Sequence, residues 1–370
     1  MILTSLSLKN FRIHKDTFLN FSENLNFIVG GNGKGKTSIL ESIYYLCTTK
    51  SPGSKNDSDS VKFNENEFEI NGTLKGLSED KVRIYFSSNE NKKYYFQNNK
   101  QIGRTADVIG NFPVVFLTPA DHSITQGSPS DRRKFVDSVI SQSSETYLKI
   151  LLDYNKTLRQ RSSLLSRLRE DRSRHLFDEL FAWSAKLVQS GVELIKHRKK
   201  FIDEFNGYIA HSYKIIMGTD EIPGVTYSFL DDKAEANIEE HFFNLLKEKK
   251  EDELRRAANL VGPHRDDFVF ELNKINLRNY GSQGQHKTFQ VVLRFAQFFY
   301  LQNVTGKTPI FLLDDVFGEL DANRSLKINE YLREVGQAFI TLTDLANTSY
   351  LKISKKDKVI TLNGNGMANA

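Results

Sequence analysis

The segment Val29-Gly30-Gly31-Asn32-Gly33-Lys34-Gly35-Lys36-Thr37-Ser38 constrains this chain more than any other. From Gly30 to Thr37 it satisfies the phosphate-loop (P-loop) pattern G-x-x-x-x-G-K-[ST]. Before it, Leu25-Asn26-Phe27-Ile28-Val29 reads as a short buried strand; after it, Ile39, Leu40, Ile43, Tyr44 and Cys47 recur at helical spacing. Phosphate binding needs that order of strand, glycine loop and helix. Glycines let successive backbone N–H groups turn toward one anion, and the helix N-terminus adds partial positive charge. Gly30 to Ser38 are therefore the expected cradle of a nucleoside triphosphate. Lys36 is expected to reach the β- and γ-phosphates, and the Thr37 hydroxyl to hold magnesium.

A second half of such a site lies 278 positions beyond Lys36, where Ile310-Phe311-Leu312-Leu313-Asp314-Asp315 is an apolar run ending in two carboxylates. It resembles a Walker B strand. A carboxylate at the end of a buried strand meets the metal held by a P-loop, because ligands of open α/β sheets collect at that edge. Asp314 is the expected metal-side carboxylate, and Asp315 stands where a water-orienting base belongs. Between the two halves, Tyr280-Gly281-Ser282-Gln283-Gly284-Gln285-His286-Lys287 opens an apolar helical stretch. It resembles the signature motif of ABC-type ATPases, with Ser282, Gly284 and Gln285 matching and Gln283 replacing a glycine. Gly318-Glu319-Leu320-Asp321 resembles a D-loop. The four motifs follow the order of an ABC-type ATPase head, with ATP the implied nucleotide.

The insertion between the halves is longer than a transporter subunit accommodates and far shorter than an SMC coiled coil. Leu8-Lys9-Asn10-Phe11-Arg12 resembles the opening strand of SMC-like heads. Three further blocks follow: Phe116-Leu117-Thr118-Pro119-Ala120-Asp121; Gly127-Ser128-Pro129-Ser130-Asp131-Arg132-Arg133-Lys134-Phe135-Val136-Asp137; and Val261-Gly262-Pro263-His264-Arg265-Asp266-Asp267. With Leu312-Leu313-Asp314-Asp315-Val316, these resemble the RecF family of bacterial recombination mediators, from about residue 1 to residue 345. The departures are Gly318 for a usual serine and Lys34 in a variable P-loop slot. The resemblance implies an α/β fold: an ABC/SMC-type P-loop ATPase head, mixed sheet plus antiparallel β layer, with an inserted helical lobe. It further implies an ATP-dependent homodimer in which each Ser282 covers the nucleotide of the other copy. That dimer would bind double-stranded DNA near gaps or single/double-strand junctions, engage RecR, help RecA displace single-strand binding protein, and reset by slow, DNA-stimulated hydrolysis. Lys36 and Asp315 would be its catalytic residues.

Periodicity places the parts. From Val61 to about Ile102 short alternating strands dominate, ending in an Asn98-Asn99 hairpin turn. From Arg132 the period turns helical, and two apolar stripes separated by a charged break predict packed antiparallel helices. The expected domains are residues 1–125 and 254–370 for the head and 126–253 for the helical lobe. Between Lys156 and Lys200 there are twelve Lys/Arg and five Asp/Glu, a net +7 against +5 for the whole chain. Arg159, Arg161, Arg167, Arg169, Arg172 and Arg174, with Lys196-His197-Arg198-Lys199-Lys200, form the candidate phosphate-tracking stripe. His264-Arg265-Asp266-Asp267 is expected to be a structured loop rather than a metal site. One cysteine, Cys47, leaves no internal disulfide and is expected to be buried. No run of 18 apolar residues and no signal-peptide pattern occur, so a cytoplasmic protein without a membrane partner is expected. Two alternatives stay open: another SMC/ABC-head ATPase, for chromosome organisation, and an adaptor that binds ATP without hydrolysing it.

Overall fold

The computed structural model describes residues 1–54, 56–218, 221–232, 237–317, 322–344, 351–362 and 368–369. The chain divides into two compact units: Met1–Asp121, His211–Thr219 and Lys287–Ala370 form the first, and His122–Ala210 and Asp220–His286 the second.

Two sheets organise the first unit. In Glu67–Lys75 and Glu79–Ser87, Phe68, Ile70 and Leu74, then Val82, Ile84 and Phe86, turn inward at every second position. That alternation suits a sheet with one wet face. These strands sit at the centre of a six-stranded antiparallel sheet, flanked by Ile2–Phe11 and His14–Asn20 on one side and Lys92–Gln97 and Lys100–Ile102 on the other. Asn98 and Asn99 close the last hairpin at φ 51° and 63°, the left-handed turn that asparagine tolerates. The second sheet runs in the order Ala368–Asn369, Lys358–Leu362, Leu25–Val29, Ala338–Leu342, Ile310–Leu313, Val114–Leu117, parallel except at its first edge. Its central strands are buried at every position, as parallel strands covered on both faces must be. The helix Lys36–Thr48 contacts strands of both sheets, and Phe11, Ile39, Ile43, Phe68, Leu312 and Phe339 meet in one core. Cys47 is buried there, its thiol pushed up to about 12 by desolvation, so it packs and does not react.

The second unit contains the two helical stripes. Glu145–Leu168 and the first turns of Arg174–Met217 form an antiparallel hairpin. Leu164, Leu165 and Leu168 pack on Leu176, Leu180 and Leu254, with Trp183 alongside. The chain does not return to the ATPase sheet at residue 254, as the sequence led us to expect. Asp267–Leu272 pairs instead with Pro223–Ser228 in a small antiparallel sheet, and the first unit resumes only at Lys287. The alternation in that strand explains the difference: Phe268, Phe270 and Leu272 point in while Asp267, Val269 and Glu271 are half-exposed, unlike the uniformly buried strands of the parallel sheet.

Two of the distinctive sequence blocks turn out to be halves of one ionic network inside this unit. Gly127 has no room for a Cβ, which would meet the Ser123 carbonyl oxygen at 2.4 Å. The Asp131 carboxylate accepts from the Ser128 N–H at 3.0 Å and its hydroxyl at 2.7 Å, and Pro129 opens the helix. That helix aims Arg132 at Asp267 in a two-pronged pair of 2.7 and 2.8 Å, and Arg133 at the Asp266 carbonyl at 2.5 Å. Arg198 joins Asp137 at 2.9 and 3.1 Å and the Pro263 carbonyl at 2.8 Å. His264 is structural as well: Nε2 donates to the Asn259 carbonyl at 3.2 Å and Nδ1 accepts from the Tyr154 hydroxyl at 2.8 Å.

Both ring nitrogens of His264 are thus committed to the neutral form, and burial pushes its pKa down from 6.5 to about 4. Between those values the unfolded chain takes up a proton that the folded one refuses. This contribution is complete above about pH 6.5 and is lost as pH falls toward 4, amounting to about 2 kcal/mol by pH 5. Urea unfolding of the protein and of His264→Gln at pH 7 and 5 isolates this contribution from that of Asp266, whose raised pKa of about 6 acts in the opposite sense: the variant should lose less stability on acidification than the parent.

Candidate functional site

The P-loop follows Leu25–Val29 and delivers its last glycine, Gly35, at φ 88°, with Gly33 at 74°. Gly35 must be glycine for a second reason: a Cβ there would lie 2.6 Å from His14 Nε2 and 2.7 Å from Ile13 Cδ1. His14, fully buried, donates from Nε2 to the Gly35 carbonyl at 3.1 Å and meets the Thr17 hydroxyl through Nδ1 at 3.1 Å. The antiparallel sheet therefore buttresses the loop from below. Lys36 turns its ammonium onto the Gly30 and Gly31 carbonyls at 2.5 and 3.0 Å. Burial lowers its pKa, and Asp315 and Asp314 oppose that shift. Gly31, Asn32, Gly33 and Thr37 are exposed and Lys34 and Ser38 half-buried, so the loop presents an open rim.

The expected pairing of the two motifs is present. The Thr37 hydroxyl lies 3.0 and 2.9 Å from the two carboxylate oxygens of Asp314. Asp314 is buried, and desolvation raises its pKa against the opposing bonds from Thr341 and Thr37. Thr341, fully buried in Ala338–Leu342, was not legible as a site residue. Its hydroxyl donates to Asp314 at 2.8 Å and accepts the Asp315 N–H at 2.9 Å. Asp315 is thereby held at φ 49°, a left-handed conformation unusual outside glycine. A threonine one turn of pleat from the end of a buried strand was the only available signal. The donor set of Thr37 and Asp314, hydroxyl and carboxylate oxygens, is of the hard kind magnesium prefers. Arg294 fixes the helix Gln283–Thr305 to the end of Val114–Leu117 by bidentate contacts to Asp121 at 2.7 and 2.8 Å, which gives the Phe116–Asp121 block its role.

The signature segment belongs to the second unit. Its helix begins at Gln283. Ser282 and Gln285 exchange bonds: the Ser282 hydroxyl accepts the Gln285 N–H at 3.2 Å, and the Gln285 side chain accepts the Ser282 N–H at 2.9 Å. Ser282 is exposed; Gly284 and Gln285 are half-buried. The D-loop lookalike, residues 318–321, lies outside the described residues. Of the arginine stripe, Arg159, Arg167, Arg169, Arg172 and Arg174 are exposed and have no ion pair among the described residues. Arg161 is not part of that surface. It is 3% exposed and pairs with Glu253 at 2.7 Å, Asn259 at 2.5 Å and Ser184 at 2.9 Å. Arg198 is likewise buried. Charge counting along a helix does not separate the inward arginines from the outward ones.

Fold and site together define a P-loop ATPase head of the ABC/SMC kind. A family model described as an AAA domain matches residues 5–280. The SMC head domain of Pyrococcus furiosus superposes with a TM-score of 0.56 at 15% identity, covering 99% of this chain and 95% of that one, which supports the fold alone. The DNA replication and repair protein RecF of Chloroherpeton thalassium is 40% identical over 95% of this chain and 97% of its own length; that of Salinibacter ruber is 39% identical over 93% and 85%. The structure of the recombination mediator protein RecF-ATP in the RecFOR pathway superposes with a TM-score of 0.90 at 31% identity, covering 99% of this chain and 96% of that one. This chain belongs to the RecF family.

Thr341→Val should leave the Asp315 N–H without its acceptor and take one of two hydroxyl donors from Asp314, at a cost of about 1–3 kcal/mol of stability, while Thr341→Ser should retain most of it. Equilibrium urea unfolding of the two variants checks both.

Proposed function

We propose that this chain is an ATP-switched DNA-binding protein of recombinational repair. The observation that carries the reading is the contact of Thr37 with Asp314, 277 residues apart, at the rim of a phosphate loop. ATP is the nucleotide favoured by the relative solved with it. Lys36 exchanges the Gly30 and Gly31 carbonyls for the β- and γ-phosphates. Thr37 and Asp314 hold magnesium, which when bound neutralises the phosphate oxygens. Asp315 orients the attacking water; its side chain is one methylene shorter than a glutamate, so turnover is slow.

A second copy completes the site. Ser282 accepts a hydrogen bond from its own helix, and its hydroxyl hydrogen is left to donate to a phosphate oxygen held by the other subunit. Gly284 and Gln285 bring the positive helix end to the same place. The ATP-bound homodimer clamps double-stranded DNA near gaps or single/double-strand junctions. Exposed Arg159, Arg167, Arg169, Arg172 and Arg174 are the candidate backbone contacts. It works with RecR to load RecA, in the cytoplasm, and hydrolysis opens it. Among the described residues no helix is long and apolar enough to cross a membrane.

Lys36→Ala should weaken ATP binding by about two orders of magnitude or more, read by fluorescent-nucleotide titration, because a charge-assisted contact to the triphosphate is lost. Unchanged affinity would refute the site.

Ser282→Arg should keep ATP binding while losing ATP-driven dimerisation, ATPase activity and ATP-stimulated DNA binding together. Mixing it with Lys36→Ala should restore part of each, since one composite site in the mixed dimer is intact. Light scattering that finds Ser282→Arg dimerising with ATP like the parent would sink the trans arrangement.

A further inference from the structure

The second unit contains a cavity of about 520 Å³ that the nucleotide loop does not use, within the size range of small-molecule sites. Its walls are built under constraint. Leu230 and Asp231, both on the wall, hold φ of 46° and 59°, a conformation that a bulky leucine adopts only when its surroundings impose it. Gly262, also on the wall, sits at φ 127°, where a Cβ would strike Tyr154 Oη at 2.5 Å and Phe242 Cζ at 2.8 Å.

The lining has a distinct chemistry. Arg132, Arg133 and Arg198 of the same unit are consumed by internal acceptors. Arg256 and Arg265 line the cavity, are exposed, and have no ion pair among the described residues. Phe229, its ring stacked on Tyr227, and Leu245 add apolar lining, Lys249 adds a third cation, and Asp231 and Asp252 add carboxylates, the latter paired with Arg255. Two guanidiniums suit a phosphate, because each offers a fork matched to its oxygens. An aromatic wall suits a base, and carboxylates suit base amino groups or a sugar hydroxyl. A concave pocket of this size excludes a duplex but admits one nucleotide.

We propose that this cavity binds a nucleoside 5′-phosphate, either free or as the 5′-phosphorylated end of a DNA strand. Only the second source rests on the DNA-binding reading above.

The test uses the full-length protein with its P-loop saturated by ATP. It is titrated with dAMP by calorimetry and, by fluorescence anisotropy, with gapped duplexes differing only in a 5′-phosphate or 5′-hydroxyl at the gap edge. Arg256→Ala/Arg265→Ala changes two exposed side chains, and its ATP affinity and thermal unfolding serve as fold controls. The double variant should weaken dAMP about tenfold or more, as expected for charge-assisted hydrogen bonds. If the wild type also prefers the phosphorylated gap and the variant does not, the DNA end is the source; without that preference it is the free nucleotide. Should the protein bind no DNA while dAMP still binds through these arginines, the DNA reading fails and the cavity assignment stands. Absence of dAMP binding at millimolar concentration together with equal affinity for the two gaps overturns the proposal, as does dAMP binding unchanged by the double variant.

Discussion

A buried carboxylate organises the first unit. Asp314 lies at the end of a strand enclosed on both faces, where an ionised group costs several kcal/mol unless hydrogen bonds replace its water. Those bonds come from Thr37 at the head of the P-loop helix and Thr341 on the neighbouring strand. The parallel register pairs Leu313 with Ile340 and Thr341 with Ile28, which brings all three segments to one level at the edge of the sheet. A slip of one residue would turn Thr341 to the other face of its strand and leave Asp314 short of a donor. Strand pairing, loop conformation and the metal-side carboxylate are therefore one condition met three times.

The second unit uses charge differently. Its buried pairs, Arg132 with Asp267, Arg198 with Asp137 and Arg161 with Glu253, join a helix to a strand in the first case and to another helix in the other two, each distant in sequence. Pairs of this kind add little net stability over apolar packing, while the loss of one partner is severe because the other charge is stranded. They tie each helix to one register against its neighbour, which is a matter of specificity more than of energy.

Much of this was readable beforehand. The P-loop, the apolar strand ending in Asp314 and the alternating strands after Val61 all have periods or spacings that do not depend on distant partners. His14 and Thr341 were hidden for the opposite reason: each is an ordinary polar residue in a strand, and only a contact 21 or 27 residues away gives it a role. Arg161 and Arg167 carry the same charge six positions apart, and only the second faces water. The Gly127 and Gly262 blocks stood out as family marks, yet their chemistry is internal salt bridging, which the sequence alone does not distinguish from ligand binding.

The strand order has a consequence for biosynthesis. Leu25–Val29 lies between Ala338–Leu342 and Lys358–Leu362, so an apolar strand made at the start waits for two neighbours made more than 300 residues later. At ordinary translation rates of about 5–20 residues per second, that wait lasts on the order of tens of seconds. The second unit, His122–Ala210 and Asp220–His286, is made within that interval, so it can compact while the nucleotide sheet is still missing its centre. The waiting strand is then a natural client for chaperones on the ribosome, and the nucleotide site is among the last features of the molecule to exist.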